Sequence, residues 1–136
     1  MRLVVDTNVV IACLLKSGIT QDVFFNSNLE LYSCDYLIIE IEKHQTELME
    51  ASGYDESTFK LALSMLLRHV SLIPHEEYDS FMARARNSIS DKDDAPFVAL
   101  GLKLNAPIWT HDKQLLKASD VQTITTKKII DELNTK

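Results

Sequence analysis

Carboxylates stand at several points of this chain where chemistry could be done. Asp6 ends the apolar run Leu3-Val4-Val5, and Asp112 ends Pro107-Ile108-Trp109-Thr110-His111. Asp91, Asp93 and Asp94 crowd into one acidic stretch ahead of Ala95-Pro96, and Glu40 and Glu42 follow the apolar pair Ile38-Ile39. Two unit charges about 4 Å apart cost several kcal/mol at a surface-like dielectric, so such groups, once gathered, must hold protons or hold cations. No cluster of His and Cys accompanies them: His44, His69, His75 and His111 have no partners at metal-ligand spacing. An oxygen-only ligand set selects Mg²⁺ or Mn²⁺ over zinc. The matching chemistry is metal-assisted hydrolysis of a phosphodiester.

Taken singly, each acid has a plainer explanation. Asp6-Thr7-Asn8 could cap a helix after a strand, Asp112 could do the same, and Glu40 and Glu42 could face solvent. Asp91, Asp93 and Asp94 could complement a helix dipole, for about 0.3 to 1 kcal/mol each. What favours a site is their joint placement, which depends on the elements that carry them.

Leu3, Val4 and Val5 read as a strand buried on both faces, too short for a helix and stopped by cap and turn formers. A helix over 9–16 follows, with Asn8 as its N-cap, and Thr20 offers a cap ahead of Val23, Phe24 and Phe25. A second strand is expected over 29–34. Asp35 then caps a helix that carries Leu37, Ile38, Ile41 and Leu48 and ends near Ser52-Gly53. Asp55, Glu56 and Ser57 open a long helix with Phe59, Leu63, Leu66 and Leu67 at helical spacing. A strand over 70–73 closes on Pro74 and a helix over 76–88 follows. The acids before Pro96 open a helix over 94–104 that Asn105 ends. A strand over 107–110, a helix over 114–118, a strand over 121–124 and a helix over 126–133 complete the pattern.

Strands alternating with helices call for an α/β fold, a parallel sheet of about four to five strands with helices on both faces. In such a sheet Asp6 and Asp112 share the C-terminal edge, where ligands bind, and converge if their strands are neighbours. The helix start at Asp93 and Asp94 comes to that edge too. Helical periodicity leaves Glu40 and Glu42 open: the first shares a stripe with Tyr36, Leu37 and His44, the second with Ile38, Ile39 and Met49.

The chain has 136 residues, 46% of them hydrophobic and 25% charged, with three Gly and three Pro, the profile of one domain spanning 1–136. Its formal net charge of −6 excludes a broad basic surface for nucleic acid, although acids gathered around a cation present a different charge to a phosphate. The apolar run from Val9 to Leu15 is far short of the roughly 20 residues that cross a bilayer, and Asp6 interrupts any signal-peptide core. A cytoplasmic location with no membrane partner is expected. Cys13 and Cys34, in apolar contexts without metal-ligand spacing, read as reduced core residues. Trp109 reads as core. Arg84, Arg86, Lys92, Lys113 and Lys117 lie near the segments that feed the acidic edge and are the candidate phosphate-backbone contacts.

The order Val4-Val5-Asp6-Thr7-Asn8-Val9, then Glu40-Ile41, then Asp93-Asp94-Ala95-Pro96-Phe97-Val98-Ala99-Leu100, then Ile108-Trp109-Thr110-His111-Asp112 resembles the PIN domain over essentially the whole chain. The resemblance implies a parallel sheet between helices and a Mg²⁺- or Mn²⁺-dependent ribonuclease acting on RNA, often the toxin half of a toxin-antitoxin pair. It also implies an antitoxin protein as partner and a homodimer. Carried over by position, the acids of the site are Asp6, Glu40, Asp94 and Asp112, with Asn8 and Thr110 as polar supports and Asp93 as an extra metal or water contact. Glu40 is preferred to Glu42 because an acid followed by Ile matches the family's helix. Gly101, where the family usually has Ala, Asn105, where Gly is common, and Trp109, where an aliphatic is typical, depart from the pattern without removing an acid.

Other readings of a strand-end Asp fit less well. A phosphatase with an aspartyl nucleophile wants a second acid two residues on, where this chain has Asn8. A receiver domain wants its Asp after the third strand, where Ile73 is followed by Pro74. The remaining alternative is a PIN-like module that binds RNA or protein without cutting.

Overall fold

The computed structural model describes residues 1–16 and 18–135. The elements run β1 (Arg2–Val5), α1 (Thr7–Leu14), α2 (Gly18–Phe24), β2 (Glu30–Cys34), α3 (Tyr36–Lys43), α4 (Gln45–Ser52), α5 (Glu56–Leu67) and β3 (Val70–Ile73). They continue with α6 (His75–Tyr78), a 3₁₀ turn (Asp79–Phe81), α7 (Met82–Ser88), a second 3₁₀ turn (Lys92–Asp94) and α8 (Ala95–Leu104). β4 (Ile108–Trp109), α9 (Lys113–Lys117), β5 (Thr123–Ile124) and α10 (Thr126–Asn134) close the fold.

All strand pairs are parallel, in the order β3-β2-β1-β4-β5. Leu3, Val4 and Val5 are fully buried on alternating faces, as a central strand covered by helices on both sides requires. Val4 stands opposite Tyr32 of β2 and Ile108 of β4, and Val5 opposite Trp109. The chain builds outward from β1 to β2 and β3, then α8 carries it back to β4 on the other side of β1. The strand order therefore reverses between β1 and β4, and the covering helices part at the C-terminal edge of those two strands.

α8 is the crossover, and six of its ten residues are buried: Ala95, Phe97, Val98, Ala99, Leu100 and Gly101. A Cβ at Gly101 would come 3.1 Å from the Ala106 carbonyl and 3.3 Å from Ile108 Cγ1, so glycine there lets the chain turn tightly from α8 into β4. Asn105 makes that turn at φ 50°, a left-handed position that Asn tolerates among the non-glycine residues. Two of the departures from the family pattern thus have one cause. The third, Trp109, is fully buried, lies 6.2 Å from the Phe24 ring and donates from Nε1 to Thr126 Oγ1 at 2.9 Å.

Several local expectations are corrected. Asp6, not Asn8, caps α1: its backbone is extended and its carboxylate accepts the Thr7 N–H, which starts the helix earlier. Thr20 lies inside α2 rather than before it. The helix expected after Asp35 is two, broken at His44, and Asp35 does not cap it. Its carboxylate accepts the His75 N–H at 3.1 Å and the Tyr78 hydroxyl at 2.6 Å, tying β2 to the segment after β3. The helix expected over 76–88 is interrupted by a 3₁₀ turn. β4 and β5 are each two residues long, shorter than expected.

Cys13 and Cys34 are free and buried, and burial pushes both thiols up to about 12, so they stay protonated and inert. No helix among the described residues is long and apolar enough to cross a membrane.

Candidate functional site

The reversal between β1 and β4 brings Asp6 and Thr110 together. Asp6 is 5% exposed and Thr110 fully buried. The Thr110 hydroxyl donates to Asp6 Oδ2 at 2.6 Å, while Asp6 Oδ1 accepts the Thr7 N–H at 2.8 Å. The same hydroxyl oxygen accepts from Asn8 Nδ2 at 3.3 Å and from the Asp112 N–H at 3.0 Å. A hydroxyl has one proton to give and two lone pairs to fill, and here all are used. Asn8 then accepts the His111 N–H on its Oδ1 at 3.1 Å. The strand-end polar residues Asp6, Asn8, Thr110, His111 and Asp112 are thus one network.

Asp112 begins α9. Its Oδ1 accepts the N–H of Gln114 at 2.9 Å and of Leu115 at 3.4 Å, and among the described residues its Oδ2 has no hydrogen-bond partner. A single oxygen fulfils the cap, so the second is available to a ligand. Asp112 is partly exposed.

Glu40 comes in from the middle of α3, where the Thr7 hydroxyl donates to its Oε1 at 2.5 Å. Glu42 is exposed on another side of the helix and lines a separate cleft with Gln45, Met49 and Tyr54. The rotation of α3 points Glu40 toward α1 and leaves Glu42 facing away from it. Asp93, exposed, accepts the Tyr36 hydroxyl at 3.2 Å. Thr7 and Tyr36 were not singled out from the sequence. Thr7 carried a signal in lying next to Asp6 on the same turn; Tyr36 carried none.

The acids feel one another. Burial, then the charges of Asp6, Asp112, Asp91 and Glu40, push Asp94 up to about 7. Asp6 is raised mainly by burial, with the Thr110 and Thr7 hydrogen bonds opposing it and Asp112 adding to it. Glu40 is raised by burial, with the Thr7 bond opposing and the charges of Asp6 and Asp93 adding. Asp6, Glu40, Asp94 and Asp112 therefore form one electrostatic unit that favours protons or a cation.

Among the described residues, no three His, Cys, Asp or Glu side chains are close enough to enclose a metal ion. The donors are oxygens arranged as separate arms around an open edge. That suits a hard cation such as Mg²⁺, which takes one or two carboxylates and fills its remaining positions with water. Arg84 does not belong here: it lines a cavity of about 270 Å³ with Ala106 and Gln122, at the opposite edge of the sheet. Lys117 shares a cleft with Asp94.

The PIN domain family model matches residues 4–134. The chain belongs to the PIN domain family. Solved structures agree on the fold. A VapBC2 structure from Rickettsia felis, bound to a DNA fragment from their promoter, superposes at a TM-score of 0.73 with 11% identity, over 92% of this chain and 98% of that one. A VapBC-1 structure from nontypeable Haemophilus influenzae gives a TM-score of 0.69 with 20% identity, over 94% of this chain and 100% of that one. No curated protein sequence matches the chain.

The geometry of this PIN domain makes two stability predictions. Thr110→Val keeps the side-chain shape but leaves Asp6 without its buried donor, and should cost about 1–3 kcal/mol in urea denaturation at pH 8. The second concerns pH. A carboxyl that binds protons more tightly in the native state stabilises the fold fully below its unfolded value of 3.8, and that contribution is lost as pH rises through about 7. In chelator, the site's share of stability should therefore fall between about pH 4 and 7, and Asp94→Asn should flatten the fall.

Proposed function

We propose that this PIN domain is a Mg²⁺- or Mn²⁺-dependent endoribonuclease that hydrolyses RNA phosphodiester bonds. The observation that carries this reading is the electrostatic coupling of Asp6, Glu40, Asp94 and Asp112 at the switch point between β1 and β4. Bound there, a divalent cation supplies a lowered pKa for the attacking water and stabilises charge on the scissile phosphate.

The chain's own residues do the rest. Asp6, Asp94 and Asp112 would supply the carboxylate oxygens, one or two at a time with water completing the shell, and Glu40 stands beside them. Asp6 is held rigid by Thr7 and Thr110, so its carboxylate is aimed before any ligand arrives. Thr7 holds Glu40 by Oε1. Asn8 holds the backbone at His111 and thereby the approach to Asp112. Asp93 extends the acidic surface toward water and Tyr36.

The same proposal makes the chain the toxin half of a toxin-antitoxin pair, acting in the cytoplasm, with an antitoxin protein as partner and a homodimer as its assembled form. Its support is the likeness to the VapBC structures together with exposed apolar side chains at Ile39, Leu61 and Met65, which a partner protein would cover.

Purified protein with Mg²⁺ or Mn²⁺ should cut single-stranded RNA. Asp6→Asn and Asp94→Asn should each reduce the rate about a hundredfold or more, the scale of losing a group that stabilises transition-state charge, and excess chelator should abolish cutting. Cleavage surviving both substitutions overturns the assigned site; RNA binding without cleavage makes the domain a binding module instead. Millimolar Mg²⁺ or Mn²⁺ should raise the melting temperature of the wild type, because a ligand of the native state alone stabilises it, with a smaller rise in Asp94→Asn. A small basic DNA-binding protein encoded beside this chain would support the toxin assignment.

A further inference from the structure

A cleft of about 520 Å³ opens beside Asp94, between the C-terminal end of α7 with the segment after it and α9. Its walls carry Asn87, Ser90, Gln114 and Lys117 around the apolar side chains of Ile89 and Leu115. The size falls in the range of roughly 300–1,000 Å³ typical of clefts that hold one small ligand.

The chemistry of the walls is more specific than their size. Asn87, Gln114 and Lys117 make no side-chain hydrogen bond or ion pair among the described residues. Each carboxamide offers donors and an acceptor in one plane, the complement of the polar edge of a nucleobase. Lys117 is the only cation in the wall among the described residues, a counter-charge for one phosphate. Ile89, half-buried, supplies apolar surface for the flat face of a base, with the buried Leu115 behind it as the floor of the cleft. Gln114 is also fixed to the site, since its backbone N–H is held by Asp112 Oδ1. A chain whose scissile phosphate lay at Asp94 and Asp112 would put its neighbouring nucleotide here.

We propose that this cleft is a nucleotide subsite that receives one unpaired nucleotide adjoining the scissile phosphate of a single-stranded RNA. Asn87 and Gln114 read the base edge and Lys117 neutralises the adjoining phosphate. The inference rests on the nuclease reading above, and it explains how a chain with a formal net charge of −6 selects a cutting position. Single-stranded RNA is the substrate such a subsite requires, because a base must be unstacked to present its edge.

The test uses the full chain with Mg²⁺ or Mn²⁺ and two readouts. One is the sequence at mapped cleavage ends in a pool of short, randomised single-stranded RNAs. The other is binding of a fluorescein-labelled short RNA by the wild type and its variants. Asn87→Ala and Gln114→Ala should change base preference at one fixed position beside the cut by about two- to tenfold, the effect of losing one or two neutral hydrogen bonds. Lys117→Gln should weaken binding and raise KM with kcat nearly unchanged, and should reduce the salt slope of binding by about 0.7, the single-strand value for one phosphate. Lys60→Gln on α5, outside the cleft, should change neither readout. A wild type that cuts RNA while all three cleft variants keep its base preference and its KM overturns the subsite. A wild type that binds RNA without cutting it, with binding weakened by Lys117→Gln, supports the subsite and overturns the nuclease reading.

Discussion

The hydrogen bond between the Thr110 hydroxyl and the Asp6 carboxylate is the contact on which the rest of the site depends. A carboxylate 5% exposed to water is costly to keep unless donors replace its hydration, and Asp6 has two, from Thr7 and Thr110. One of them belongs to the next strand. Asp6 can therefore be buried only when β4 lies beside β1, in the register that also lets the Asp6 N–H donate to the Trp109 carbonyl at 3.0 Å. The carboxylate that opens the site is at the same time a check on correct assembly of the sheet. The other two bonds of the hydroxyl set Asn8 and the backbone of Asp112, so that Asp112 is placed without a direct contact to Asp6.

Around this fixed centre the acids are arranged against their own electrostatic interest. Asp94 and Glu40 reach the edge from elements remote in sequence, and burial together with the charges of neighbouring acids makes each harder to ionise. A fold selected for stability alone would place such residues apart or pair them with Lys or Arg. Among the described residues the salt bridge Lys60–Glu56 and the His44–Glu47 and His75–Asp79 pairs, ionic when the histidine is protonated, lie elsewhere, all on the surface. An unneutralised group of carboxylates beside a nearly saturated hydrogen-bond network is the pattern of a ligand site, in which rigidity is supplied by neutral donors and the charge is left for a ligand to balance.

The elements were legible because their signals are local. β1 reads as a buried strand from its run of apolar β formers, α5 from its cap at Asp55 and its helical spacing, and α8 from Pro96 and the terminating Asn105. The errors fell where a residue's partner is distant. Asp35 looks like a helix cap, but its carboxylate is taken by His75 and Tyr78 across from β3. Asn8 looks like a cap as well, but the preceding Asp6 does that work and Asn8 turns its amide to Thr110 and His111. Which of Glu40 and Glu42 turns toward Thr7 depends on the rotation of α3, which is set by what α3 packs against.

What the sequence by itself determined is the alternation of strands and helices and the presence of a carboxylate where β1 ends, close after β4 and at the start of α8. Those features depend on hydrophobic period, cap chemistry and proline, which act over a few residues. Tertiary structure alone decided that β4 pairs with β1, that the Thr110 hydroxyl joins the two strand ends, that Glu40 rather than Glu42 faces them, and that Asn87 and Gln114 meet across a cleft beside Asp94. These are contacts between segments far apart in the chain. Their geometry follows from how the helices cover the sheet, which local preferences do not contain.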